Sequence, residues 1–294
     1  MAKKPFELLC LPAVQNIKEV LGHFLFPINL TEGNFKELEF VFHNKGIKIL
    51  YQGIDLSNFS FVWLSSFWDS RDLAYAVKLY LDKTKTSTTF AEKSTSKITD
   101  QMIFSLNNIQ SPDSLFLGEE PIKDSLGQIK KVCGYPLIIK DTKGSRGLDS
   151  IYIANEEELA EKLKQFPNHR KYFFQKYIPN QYDWGVLVAN GVVVSGEKSY
   201  PEVGEFRNNA CNGAKEIFMD PKEIPDRIKQ IAIKANRLLG LSWSRSDIII
   251  DKNTGEPYLL EVNRMPGITP KTSEVEGAYQ FLASKIKNDL DTNF

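Results

Sequence analysis

What the sequence has little of narrows its chemistry first. Its three cysteines, Cys10, Cys133 and Cys211, are odd in number, far apart and form no CxxC pair. That pattern excludes a disulfide framework and a thiolate zinc site, and it fits reduced thiols in a cytoplasmic protein. Histidine is as sparse: His23, His43 and His169 share no metal-ligand spacing and read as structural. No apolar run reaches the ~20 residues of a membrane-spanning helix. The opening MAKKPFELLCLP has too short an apolar stretch for a secretory signal. An excess of charge of one sign is missing too. Lys+Arg and Asp+Glu both total 37, so the net charge points to no nucleic-acid or membrane partner. There is no internal repeat, no Ser/His/Asp or Cys/His constellation, and no GxxxxGK[ST] phosphate loop. The nearest approach to low complexity is DKTKTSTTFAEKSTSK (82–97), a polar stretch that reads as a domain connection.

What is present alternates strands and helices over 294 residues, ample length for a core. FELLCLP, IKILYQG and FSFVWLS read as strands. Behind Asp69 or Ser70 as N-cap, RDLAYAVKLYLDK puts Leu73, Val77 and Tyr80 on one helical face. KITDQMIFSLNN repeats the pattern with Ile98, Met102 and Leu106. YPLIIK and SIYIA are strands joined by a glycine-containing loop, and Asn155 with Glu158 starts the helix EEELAEKLKQF. KYFFQKYI is a strand, and GVLVANGVVVSG is a hairpin turning at Asn190-Gly191. IPDRIKQIAIKANRLLG sets Ile224, Ile228, Ile231, Ala235 and Leu238 on one stripe and stops at Gly240. Mostly antiparallel sheet with interspersed helices predicts an α+β fold rather than a parallel barrel.

Two stretches carry chemistry. DIIIDKNTGEPYLLEVN (247–263) is a hairpin of β-branched and apolar arms around a turn in which Gly255 takes positive φ. A turn centred on Thr254 sets Asp247 opposite Glu261, with Asn263 on the same side as Glu261. Facing Cβ atoms lie about 5 Å apart, where two like charges repel. A hard divalent cation would convert that repulsion into ligation, and oxygen donors of this kind suit Mg²⁺, with Mn²⁺ the alternative. A solvated hairpin edge with incidental acids is the competing reading. In IIKDTKGSRGLDSIYI, Lys140 ends a strand and Gly144-Ser145-Arg146-Gly147 leads into the next. Small residues, a hydroxyl and a lysine suit a phosphate cradle, although a plain turn fits the same residues.

In order and spacing, Lys97 opening a helix, Lys140 before Gly144–Gly147, FFQKYI, GEFRNNACNGA (204–214), Asp247 and EVNRMPG (261–267) resemble the ATP-grasp superfamily. Within it the likeness is to the ribosomal-protein glutamate ligase and glutathione-synthetase-like carboxylate–amine ligases. It covers Lys97 to Gly267 well and the N-terminal segment in outline. The resemblance implies that Lys97, Lys140 and the loop Gly144, Ser145, Arg146 and Gly147 hold the phosphates of ATP. It implies that Gln175, Lys176, Tyr177 and Ile178 meet adenine, largely through the backbones of Lys176 and Ile178, and that Asp183 binds the ribose. Asp247, Glu261 and Asn263 then hold Mg²⁺, and Arg207 and Asn209 hold the γ-phosphate and the developing acyl phosphate. Each has a plainer competitor: Lys97 as a solvated lysine, Asp183 as a strand start, Arg207 paired with Glu202 or Glu205.

Two positions depart from the family pattern. Leu148-Asp149 follows the loop glycine where a further small residue is usual, and Asn212 stands where an arginine is usual. Arg146, Arg245 or Arg264 could supply the missing charge. The resemblance implies three parts: an N-terminal α/β domain (1–95), a lid (96–184) and a metal-bearing part (185–294), with ATP between the last two. It implies an ATP-dependent carboxylate–amine ligase acting on small-molecule or peptide carboxylates and amines. A phosphotransferase, or a nucleotide-binding protein without turnover, is the alternative.

Overall fold

A computed structural model of the protein describes residues 5–44, 46–89, 96–117, 125–142, 150–165, 172–202 and 213–292. The first segment builds on β1 (Phe6–Leu11), which is apolar apart from Glu7 because both of its faces are covered. After α1 (Ile17–Leu21) the chain returns as β2 (Ile28–Glu32), parallel to β1. An antiparallel excursion, β3 (Leu38–His43), β4 (Gly46–Tyr51) and β5 (Ile54–Asp55), leads to β6 (Phe61–Leu64) on the other side of β1. Helix α2 (Arg71–Thr84) and the short β7 (Ser87–Thr88) complete a parallel sheet of order β2-β1-β6-β7.

Helix α3 (Lys97–Leu106) begins on a reciprocal cap: Ser96 and Thr99 each accept from the other's backbone N–H. A second sheet, in the order β10-β9-β11-β8, follows from β8 (Ser114–Phe116), α4 (Leu126–Cys133), β9 (Leu137–Asp141), β10 (Ser150–Ile153), α5 (Glu156–Lys164) and β11 (Tyr172–Lys176). The third is antiparallel throughout, in the order β14-β13-β12-β15-β16. Its members are β12 (Asp183–Ala189), β13 (Val192–Tyr200), β14 (Lys215–Met219), β15 (Trp243–Ile250) and β16 (Pro257–Asn263). Helix α6 (Asp226–Leu239) lies between β14 and β15, and α7 (Ser273–Thr292) follows β16. The α+β reading holds, and among the described residues parallel pairing is confined to the first sheet.

The first and third sheets share a core. Leu8, Cys10, Phe61 and Trp63 pack with Leu187, Ala189 and Trp243 and with Val275, Ala278, Phe281 and Leu282 of α7. Trp63 sits edge-on to Trp243 and to Phe281, both at 5.3 Å between ring centres. Burying each such side chain contributes roughly 1.5–3 kcal/mol, so this seam ties the first segment to the third sheet and α7. A polar tie runs beside it: Asn16 after β1 donates to the carbonyl of Ile268 after β16 at 2.7 Å.

Two expected helix faces are displaced. α2 buries Ala74, Val77, Tyr80 and Leu81 and exposes Leu73. α3 buries Asp100 and Phe104, while Met102 and Leu106 are 56% and 74% exposed. Phe104 packs with Ile109, Trp184, Ile228 and Leu259, against the third sheet and α6. None of the described helices is long and apolar enough to cross a membrane.

Candidate active site

The site grows from the β15–β16 hairpin. Asp247 pairs with Glu261 and Arg245 with Asn263, the register the turn predicts at these positions. Nearer the turn the pairing is one residue out, with Ile250 opposite Pro257, and a bulge between Asp247 and Ile248 restores it. The turn uses Gly255 at φ 73°. Across β16, β15, β12 and β13, the residues Glu261, Asp247, Gly185 and Glu197 stand opposite one another, so they occupy one face. Asn263 donates from Nδ2 to Oδ2 of Asp247 at 2.9 Å.

This row is charged and poorly hydrated. The Asp247 carboxyl is held well above the usual carboxylate range, first by burial and next by the facing Glu261, with Arg245 pulling the other way. Above the hairpin, Lys140 of β9 is pushed below the ordinary lysine range by burial. Glu261, Asp183 and Asp247 oppose that shift, and Lys97 adds to it. Lys97 Nζ also donates to the carbonyl of Asp141 at 3.2 Å. One cavity is lined by Lys97, Lys140, Gln175 and Glu261 together with Asp100 and Phe104. Two lysines, two facing carboxylates and Gln175 are thus brought together.

The segment from Gln175 to Ile178 is more constrained than its residue types reveal. Gln175 is buried and donates from Nε2 to Ser114 Oγ at 3.0 Å. The Lys176 N–H donates to the carbonyl of Asp113 at 2.8 Å, and the Tyr177 N–H to that of Pro136 at 3.2 Å. The Lys176 side chain is half exposed, 3.7 Å from Asp113. No carbonyl of the described residues accepts from the N–H of Ile178. Asp183 opens β12, and its Oδ1 accepts from Asn180 Nδ2 at 2.6 Å. Gly144, Ser145, Arg146, Gly147, Arg207 and Asn209 lie outside the described residues.

Of the arginines weighed for the charge missing at Asn212, Arg146 also lies outside the described residues, and Arg264 is buried against Asp100. Arg245 is on the site face, two residues before Asp247. Its guanidinium bonds Glu274, and it lies 3.4 Å from both Glu197 Oε1 and the carbonyl of Gly267. Glu197 was not anticipated. It is 6% exposed, its Oε2 has no hydrogen-bond partner among the described residues, and burial drives its pKa up to about 7 against the pull of Arg245. The signal for it was Gly185, a glycine inside the apolar strand DWGVLVA. A Cβ there would overlap Glu197 Oε1 and lie 2.9 Å from its Cγ.

The donor set fits a hard cation. Among the described residues no three His, Cys, Asp or Glu side chains form a self-sufficient metal cluster. Two carboxylates and an amide are what Mg²⁺ uses when phosphate oxygens and water complete its octahedron. A carboxyl that resists ionising beside a second acid is also the group a divalent cation would deprotonate.

The RimK-like ATP-grasp domain model matches residues 91–284. The D-alanine–D-alanine ligase of Thermoanaerobacter sp. is 28% identical over 65% of this chain, which spans 58% of that relative's length. A probable alpha-L-glutamate ligase of Aeromonas salmonicida is 30% identical over 48% of this chain and 46% of its own. Among solved structures, D-alanyl-alanine synthetase A from Vibrio cholerae superposes with a TM-score of 0.70 at 15% identity, covering 98% of this chain and 99% of that one. The ATP-grasp ligase PsnB, complexed with minimal precursor, gives 0.66 at 16% identity over 95% and 98%. PsnB has also been seen with minimal precursor, Mg and ADP. At these identities the structural likeness establishes the ATP-grasp fold.

Proposed function

The chain belongs to the RimK-like ATP-grasp family, and on that footing we propose that it is an ATP-dependent carboxylate–amine ligase. The observation that carries the reading is the facing pair Asp247 and Glu261, with Lys140 over it and Lys97 on the wall of the same cavity. Asp247, Glu261 and Asn263 would hold Mg²⁺, which when bound offsets the negative charge of the phosphates. Lys140 and Lys97 neutralise the same charge from the opposite wall, and Arg245 adds a guanidinium in place of the arginine absent at Asn212. Gly144, Ser145, Arg146 and Gly147 would help hold the phosphates. Gln175, the Lys176 carbonyl and the unengaged Ile178 N–H take adenine, and Asp183 the ribose.

The γ-phosphoryl group of ATP passes to a carboxylate, giving an acyl phosphate and ADP. An amine then attacks the acyl carbon, phosphate leaves, and a peptide or isopeptide-like bond remains. The protein contributes position and charge rather than covalent chemistry, with Arg207 and Asn209 holding the group in transfer. The substrates are small-molecule or peptide carboxylates and amines: the relatives include D-alanine–D-alanine ligases, and PsnB has been complexed with a precursor peptide. The three-part division at 1–95, 96–184 and 185–294 belongs to the same reading. So does a cytoplasmic location, which the free buried thiols of Cys10 and Cys133 suit. The test is ADP release with ATP and Mg²⁺ across pairs of carboxylates and amines. A ligase needs both partners and a phosphotransferase needs one; a protein that binds nucleotide without turnover releases no ADP with either.

A further inference from the structure

The inner stripe of α3 is Lys97, Asp100, Gln101 and Phe104, spaced i, i+3, i+4 and i+7, and all four line the cavity. One turn beyond Lys97, the Asp100 carboxylate takes both arms of the Arg264 guanidinium. Nη1 donates to Oδ2 at 3.0 Å and Nη2 to Oδ1 at 2.8 Å. Arg264 is the residue after Asn263, and its Nη1 also donates to the carbonyl of Val262 at 3.1 Å. The guanidinium is therefore folded against the end of β16 rather than extended to solvent. A second arginine, Arg71 at the start of α2, brings Nη2 to 3.8 Å from Asp100 Oδ2. Arg71, Asp100 and Arg264 are 4%, 6% and 5% exposed.

Three segments thus meet on one carboxylate: α2 of the first domain, the helix that carries Lys97, and the strand that carries Glu261 and Asn263. Burying charges costs more than burying apolar groups of the same size, so an ion cluster here adds little that Phe104 and Ile109 do not already supply by packing. What the cluster adds is direction. A bidentate carboxylate–guanidinium pair fixes distance and plane together, and this one fixes them between Lys97 and the residue adjoining Asn263.

We propose that Asp100 is a positioning residue for the metal–phosphate centre: through Arg264 it holds the Glu261–Asn263 strand end in register with Lys97. This rests on the reading that Asp247, Glu261 and Asn263 hold Mg²⁺.

The test is calorimetric titration of ATP into wild-type protein and Asp100→Asn, once in EDTA and once in saturating Mg²⁺. Asparagine keeps the shape and one acceptor and removes the charge. Affinity in EDTA should stay within about twofold, while the gain in affinity on adding Mg²⁺ should shrink about tenfold, the scale for disturbing a group that orients metal ligands. A purely structural role would lower both arms together. An undiminished Mg²⁺ gain in Asp100→Asn overturns the proposal. If Asp100→Asn does not fold, the double variant Asp100→Asn/Arg264→Gln pairs amide with amide and leaves one guanidinium, that of Arg71, beside the pair instead of two. It should lose the same part of the Mg²⁺ gain, and a full gain there overturns the proposal equally. Wild-type protein that binds ATP with no Mg²⁺ gain would instead sink the metal reading itself, so the two failures are told apart by the wild-type arm.

Discussion

Replacing Glu197 by glutamine should make stability less sensitive to pH. The carboxyl's pKa rises from 4.5 to about 7 in the fold, chiefly through burial. A raised carboxylate pKa means that the folded state keeps its proton where the unfolded chain has lost it. The contribution of this carboxyl to wild-type stability should therefore fall as pH climbs from 4.5 through about 7, and level off above. At 1.36 kcal/mol per pKa unit the ionised side chain costs the fold about 3 kcal/mol. Glutamine removes that titration while still offering Arg245 a carbonyl oxygen, and Arg245 keeps its bond to Glu274. Glu216 and Asp247, also shifted upward, are common to both proteins and largely cancel in the difference. The assay is urea unfolding of both proteins at pH values from about 5 to 8. The variant should gain on the wild type steadily across the window, by up to about 3 kcal/mol, and then run parallel to it. A difference that does not move with pH, or one that grows toward acid, refutes the assignment of a buried, protonated Glu197.

The remaining predictions bear on the site. Glu261→Ala should abolish ADP release and raise the Mg²⁺ requirement of ATP binding while the circular dichroism spectrum stays native; near-normal turnover at limiting Mg²⁺ would count against its role as a ligand. Lys140→Ala should weaken ATP binding by ~1.5–3 kcal/mol, the worth of a desolvated charge-assisted contact. Lys176→Ala should leave ATP affinity nearly unchanged, because its side chain is half exposed and the proposed adenine contact uses its backbone carbonyl; calorimetry giving equal losses in both variants would contradict the placement of the phosphates. Arg207→Ala should lower the rate of carboxylate-dependent ADP formation on the order of 10²-fold with little loss of nucleotide affinity. If single-turnover rate and affinity fall together, Arg207 belongs to nucleotide binding instead.

How much of this was legible in the sequence follows from where each signal resides. Turn chemistry is local, so the hairpins came through: Asn190 and Gly191 adopt φ 48° and 77°, Gly255 adopts 73°, and Asp247 meets Glu261. Helix faces were harder, because apolar periodicity assumes that the buried side is the greasy one. On α6 the assumption serves: Ile224 at its approach and Ile228 and Ala235 within it are buried. On α3 it fails, and the reason is the cavity the helix lines. The inward stripe there is Lys97, Asp100 and Gln101 because it faces a charged cavity, and Asp100 is buried where Arg264, 164 residues away, pairs with it. No window on α3 contains that partner, so Ile98, Met102 and Leu106 looked like the core side while two of the three face solvent. Glu197 escaped for a related reason. Its burial depends on a neighbouring strand having no side chain at Gly185, and the glycine was visible although its consequence was not. Local rules and tertiary structure therefore part company where an ionisable side chain is buried by partners distant in sequence. An apolar pattern that points a helix the wrong way, or a glycine with no turn to explain it, marks where such a site lies.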